Sequence, residues 1–85
     1  MNTTTITTIA TIKQRMVRQD QLIKLAEDSF QGKVKLYNRA VGTEFHKHAF
    51  NLKESSRNYW WKEIDTKISL ELELNKEIQK LIKNL

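Results

Sequence analysis

The tract His46-Lys47-His48, two residues beyond Glu44, is the one place in the chain where metal-ligating side chains crowd together. Zinc sites on helices use ligands four residues apart, which share a face, and Glu44 and His48 have that spacing. His46 and His48 are two apart and diverge on a helix, and no third and fourth ligand follows. The pattern therefore reads as solvated or packing histidines, with no metal. Nothing else offers covalent or acid–base chemistry. The chain has no cysteine, no phosphate-cradling glycine loop, no nucleophile elbow and no carboxylates paired across an expected cleft. It is expected to be non-enzymatic and to need no cofactor.

Two other groupings point to binding. Tyr59-Trp60-Trp61 is the densest aromatic cluster, and such side chains are both interface anchors and sources of buried area in a small core. Neighbours on a helix point about 100° apart, so the two tryptophans cannot fill the same core. Trp61 is expected mostly inside, with Trp60 half exposed and, like Tyr59, available to a partner. Lys13, Arg15 and Arg18 form a basic knot, and Lys24, Lys35, Arg39 and Lys53 lie opposite an apolar stripe. Residues 1–53 hold nine Lys/Arg against four Asp/Glu, while residues 54–85 hold six of each, so the whole excess of +5 lies in the first two thirds. Such an excess steers acidic or phosphate-bearing partners, and a solvated helix face also looks like this.

The elements that carry these groups follow from composition. Proline is absent and there are only two glycines, so sharp reversals are few and a handful of long helices is expected. The hydrophobic fraction of 39% contains no membrane-spanning run. The start, MNTTTITTIATIKQ, lacks the basic-then-apolar order of a secretory signal, and a cytoplasmic location is expected. Ile6, Ile9, Ile12 and Met16 mark a short helix over about 4–16; a strand reading of TTITTIATI fails on alternation at Thr7-Thr8. Ile23, Ala26, Phe30, Val34, Tyr37, Val41, Phe45 and Leu52 recur at intervals of three, four or seven. They predict a second helix over about 19–53, kinked at Gly42, because the stripe keeps its phase from Val41 to Phe45. Ser55 and Ser56 then cap a third helix, from about 57 to 84, which returns antiparallel. The fold class is all-α: a short N-terminal helix and a long antiparallel αα-hairpin in one domain, assembling as a helical dimer.

The third helix contains ISLELEL, residues 68–74, whose strict alternation is that of a strand. On a helical wheel the alternation becomes two apolar flanks. Trp61, Ile64, Ile68 and Leu72 lie on one, and Leu70, Leu74, Leu81 and Leu85 on the other. Ile78 and Ile82 bridge them, and the polar ladder Lys67, Glu71 and Asn75 runs between. That arc exceeds the stripe a surface helix shows, so one flank is left for a partner. The flank of Leu70, Leu74, Leu81 and Leu85, with Tyr59 and Trp60, is the expected contact surface; Lys13, Arg15, Arg18, Lys35 and Arg39 would steer the partner in.

The tract YNRAVGTEFHKHAFNLKESSRNYWWKEI and the ending LELELNKEIQKLIKNL resemble the small lysis-inhibition accessory proteins of T-even bacteriophages, over about residue 22 to the end. The resemblance is one of overall style and rests on no motif. It implies a host-cytoplasmic protein that binds the cytoplasmic part of a holin, at the inner face of the membrane, and supports the holin–antiholin complex. The competing reading is a small basic regulator that binds nucleic acid through residues 1–53.

Overall fold

A computed structural model describes residues 3–84. The chain makes two α-helices of 38 residues each, α1 over Thr3–Ala40 and α2 over His46–Lys83, packed against each other. They form an antiparallel hairpin with principal dimensions of 64 × 16 × 12 Å. The all-helical reading is correct, and ISLELEL lies inside α2. The expected division into three helices is not. There is no break at Val17-Arg18, where neither glycine nor proline occurs and Gln19 is 6% exposed against α2. Nor is there one at Ser55-Ser56, because serine in a helix interior costs only about 0.5 kcal/mol and a 3.8 Å Glu54–Arg57 ion pair spans the site.

The reversal comes instead at residues 41–45, inside the stretch expected to be one continuous helix. Gly42 has φ = +84°, the left-handed conformation that ends helices and that glycine adopts without a steric penalty. The Val41 N–H donates to the Tyr37 carbonyl (3.1 Å) and the Thr43 N–H to that of Ala40 (2.9 Å). The Thr43 hydroxyl donates to the Ala40 carbonyl (2.7 Å) and accepts from the Phe45 N–H (3.2 Å). Thr43 thus ties the end of α1 to the start of α2. The matching phase of Val41 and Phe45 is incidental, and both are exposed in the turn.

The two helices meet along a regular seam. On α1 it runs Thr5, Ile9, Ile12, Met16, Gln19, Ile23, Ala26, Phe30, Lys33, Tyr37, Ala40. On α2 it runs Ala49, Lys53, Ser56, Trp60, Glu63, Lys67, Leu70, Leu74, Glu77, Leu81. Steps of four and three alternate throughout, and none of these residues is exposed. This is the heptad spacing of an antiparallel coiled coil. Ala40 and Ala49, both buried, close the seam at the turn, where small side chains let the backbones approach.

Polar layers interrupt the seam and fix its register. The Gln19 side-chain amide donates to the Glu63 carbonyl and to its carboxylate, both at 2.7 Å. Lys67 pairs with Asp20 at 2.6 Å, and this hydrogen bond holds its ammonium above the usual lysine range. Sliding one helix by a heptad would separate these partners while leaving apolar contacts available. Polar seam residues specify register in this way in coiled coils.

The glycines differ in what substitution would do. Gly32 lies within α1 with open space where a Cβ would stand, so Gly32→Ala is expected to stabilise the hairpin by about 1 kcal/mol. Gly42→Ala has the same open space but the positive φ, and is expected to destabilise by about 1–2 kcal/mol. Urea unfolding followed by circular dichroism measures both.

Candidate interaction surface

A two-helix hairpin encloses little. Among the described residues the buried apolar side chains are Ile12, Ala26, Ala40, Ala49 and Leu70, and of these only Ile12 and Leu70 are large. Among the described residues twelve large hydrophobic side chains are exposed, more than the scattered single positions normal on a monomer. Their placement relative to the seam gives the hairpin two different sides.

Two sets of contacts identify the sides. Along one edge Lys67 meets Asp20, and Tyr37 lies 6.0 Å from Phe50, with the Lys53 ammonium 4.2 Å above the Tyr37 ring. Along the other edge Arg15, Arg18, Gln19 and Leu22 share a shallow depression with Thr66 and Leu70. The helical repeat then assigns the remaining positions.

On the Asp20 side, α2 presents Phe50, Trp61, Ile64, Ile68, Ile78 and Ile82, again at heptad intervals or their multiples, with Leu72 beside them. Trp61 is 54%, Ile68 48%, Leu72 60% and Ile82 55% exposed. Ile6, Val17 and Val34 of α1 fall on the same side. α2 therefore has two apolar seams, one closed by α1 and one open. Charges on the open side are mixed: Lys13, Lys24 and Arg57 against Asp20, Glu27, Glu54 and Glu71. The opposite side carries Arg15, Arg18, Arg39, Lys62, Lys76, Lys80 and Lys83, with Glu73 the acidic residue among them. Its exposed apolar residues Leu25, Leu36 and Tyr59 lie only in the half nearer the turn.

The sequence singled out two flanks on α2 and chose the wrong one as free. Leu70 is 4% exposed within the hairpin, and Leu74 and Leu81 occupy the same seam, half-buried. Leu85 lies outside the described residues. Trp60 is also a seam residue, stacked on Phe30 with ring centroids 5.5 Å apart, while Trp61 points outward, the reverse of expectation. The cause is register: α1 covers the flank that lies in phase with Ala49 and Trp60. Tyr59 is exposed as expected, but on the basic side, apart from Trp61.

The five expected steering residues are all exposed, and none belongs to an ion pair among the described residues. The structure brings Arg15 and Arg18 together and puts Arg39 on their side nearer the turn. Lys13 lies on the apolar side and Lys35 on the back of α1. Glu44 sits in the turn rather than on a helix, so its spacing from His48 has no helical meaning. His46 packs near the Tyr37 ring, 5.2 Å between centroids. Among the described residues no cluster of three or more candidate ligands could hold a metal ion, and no helix is long and apolar enough to cross a membrane. Compared with protein-family models, with curated proteins and with solved structures, the chain matches none of them.

Proposed function

We propose that the chain is a non-enzymatic helical interaction module that binds another protein through the open apolar seam of α2. The observation that carries this reading is that α2 repeats its apolar heptad spacing twice, and α1 closes only one of the two rows. Trp61, Ile64, Ile68 and Ile82 are spaced to receive a helix in the way Trp60, Leu70, Leu74 and Leu81 receive α1. Basic residues on the opposite side, Arg15 and Arg18 foremost, would raise the encounter rate with an acidic or membrane-proximal partner. On the resemblance to phage lysis-inhibition proteins, that partner is the cytoplasmic part of a holin and the place of action the inner face of the host membrane.

A second reading has one observation in its favour: the Arg15–Arg18 side is rich in unpaired cations, as the surfaces of nucleic-acid binders are. Salt separates the two. Binding of a holin cytoplasmic segment, followed by calorimetry, is expected to keep most of its affinity at high salt, losing only the part of the on-rate that steering supplies, and to be lost in Ile68→Glu. Binding of duplex DNA or RNA would instead weaken steeply with salt and be lost in the Arg15→Ala/Arg18→Ala double variant. Salt-sensitive binding untouched by Ile68→Glu would replace the first reading with the second.

A further inference from the structure

We infer that the occupant of the open seam is a second copy of this chain, so that two hairpins close into a four-helix bundle with their basic sides outward. This inference rests on the reading that the open seam receives a helix, and it makes a second copy the resident occupant, which a helix of another protein would have to displace. Three observations lead to it.

The first is size. One side of a hairpin 64 Å long and 16 Å wide offers roughly 1,000 Å² per copy, and a stable dimer buries about 800 Å² per partner. The apolar residues run along α2 from Phe50 to Ile82, nearly its whole length, so a partner rod of equal length matches the surface. The second is charge. With Lys53 and Lys67 at its edge counted, five basic and four acidic residues flank the open seam, so the charges nearly balance and two copies brought together there meet little repulsion. Across the basic side the same approach would oppose seven cations to seven, offset in each copy only by Glu73 and by Glu77, the ion-pair partner of Lys80. A second copy is therefore directed to one side and kept off the other. The third is the deficit of core. Among the described residues, Ile12 and Leu70 are the only large apolar ones that the hairpin buries. Pairing through a two-fold axis brings Trp61, Ile64 and Ile68 from each copy into one shared core, the isologous arrangement most homodimers use.

Sedimentation of the full chain, from low to high micromolar concentration, tests this together with circular dichroism. A dimer is expected, with a melting temperature that rises with concentration. Ile68→Glu, at an exposed site in the hairpin, is expected to weaken dimerisation by at least about 100-fold while the chain stays helical. Trp61→Gln should do so more mildly, as a second variant should Ile68→Glu lose its helicity, and Leu25→Glu on the basic side should leave the dimer intact. A helical monomer at high micromolar concentration would overturn the inference and leave the seam for a different protein. A dimer broken by Leu25→Glu and indifferent to Ile68→Glu and Trp61→Gln would overturn both the inference and the reading beneath it.

Discussion

Leu70→Glu is expected to unfold the chain, whereas Ile68→Glu, two residues away on the same helix, is expected to leave the hairpin helical. Leu70 is 4% exposed, between α1 and α2, and Ile68 is 48% exposed on the open seam. A carboxylate at position 70 would be held beside Leu22 and the apolar part of Gln19. Arg15 and Arg18 line the same depression and would offset part of the cost. An inadequately paired charge in a packed seam still costs about 3–5 kcal/mol. A core this small supplies about 3–5 kcal/mol in total, so most molecules would be unfolded. At position 68 the glutamate stays in water within the hairpin, and its folding effect should be within about 0.5 kcal/mol. Helicity by circular dichroism and the urea midpoint, measured where both chains are monomeric, give the comparison. Equal destabilisation by the two substitutions would mean that α1 does not choose between the flanks.

Trp60→Ala should cost about 3 kcal/mol and Trp60→Phe well under half of that, an asymmetry that comes from the indole's two faces of behaviour. The ring stacks on Phe30 at 5.5 Å with an interplanar angle of 26°, and truncation to alanine removes that contact and leaves a gap in the middle of the seam. Its Nε1–H, however, is buried with no hydrogen-bond partner. An orphaned buried donor costs about 1–3 kcal/mol, and phenylalanine retains most of the stacking surface without it. Urea unfolding of the three proteins at one concentration measures the difference. Trp60→Phe matching Trp60→Ala would show that the indole N–H finds a partner in solution.

The seam is legible only in part because eight of its positions are polar. The stripe Ile23, Ala26, Phe30, Val34, Tyr37, Val41, Phe45 and Leu52 mixes four seam residues, Ile23, Ala26, Phe30 and Tyr37, with four that lie off the seam. The seam continues N-terminally through Gln19 and Met16 to Thr5 in alternating steps of three and four. Thr5, Gln19, Lys33, Lys53, Ser56, Glu63, Lys67 and Glu77 hide it from any count of apolar residues. A side chain such as Gln19 declares its position only when its partner, Glu63 of the other helix, is in place. The turn was hidden for another reason. Glycine costs about 1 kcal/mol in a helix, so Gly32 and Gly42 look alike in sequence. Gly32 lies inside α1, while Gly42 takes a positive φ and ends it.

What the amino-acid sequence determined by itself is the helical character of the chain, down to ISLELEL. Absent proline, scarce glycine and a 3.6-residue apolar period act between neighbours along the chain, and that is enough to choose helix over strand. It also determined that the C-terminal helix has more apolar circumference than one neighbour can cover. Tertiary structure alone decided where the chain reverses and which flank of α2 is covered. Both flanks are apolar and differ locally by only a rotation. The choice between them depends on contacts thirty or more residues apart in sequence, Gln19 with Glu63, Asp20 with Lys67 and Phe30 with Trp60, which exist only once the two helices lie side by side.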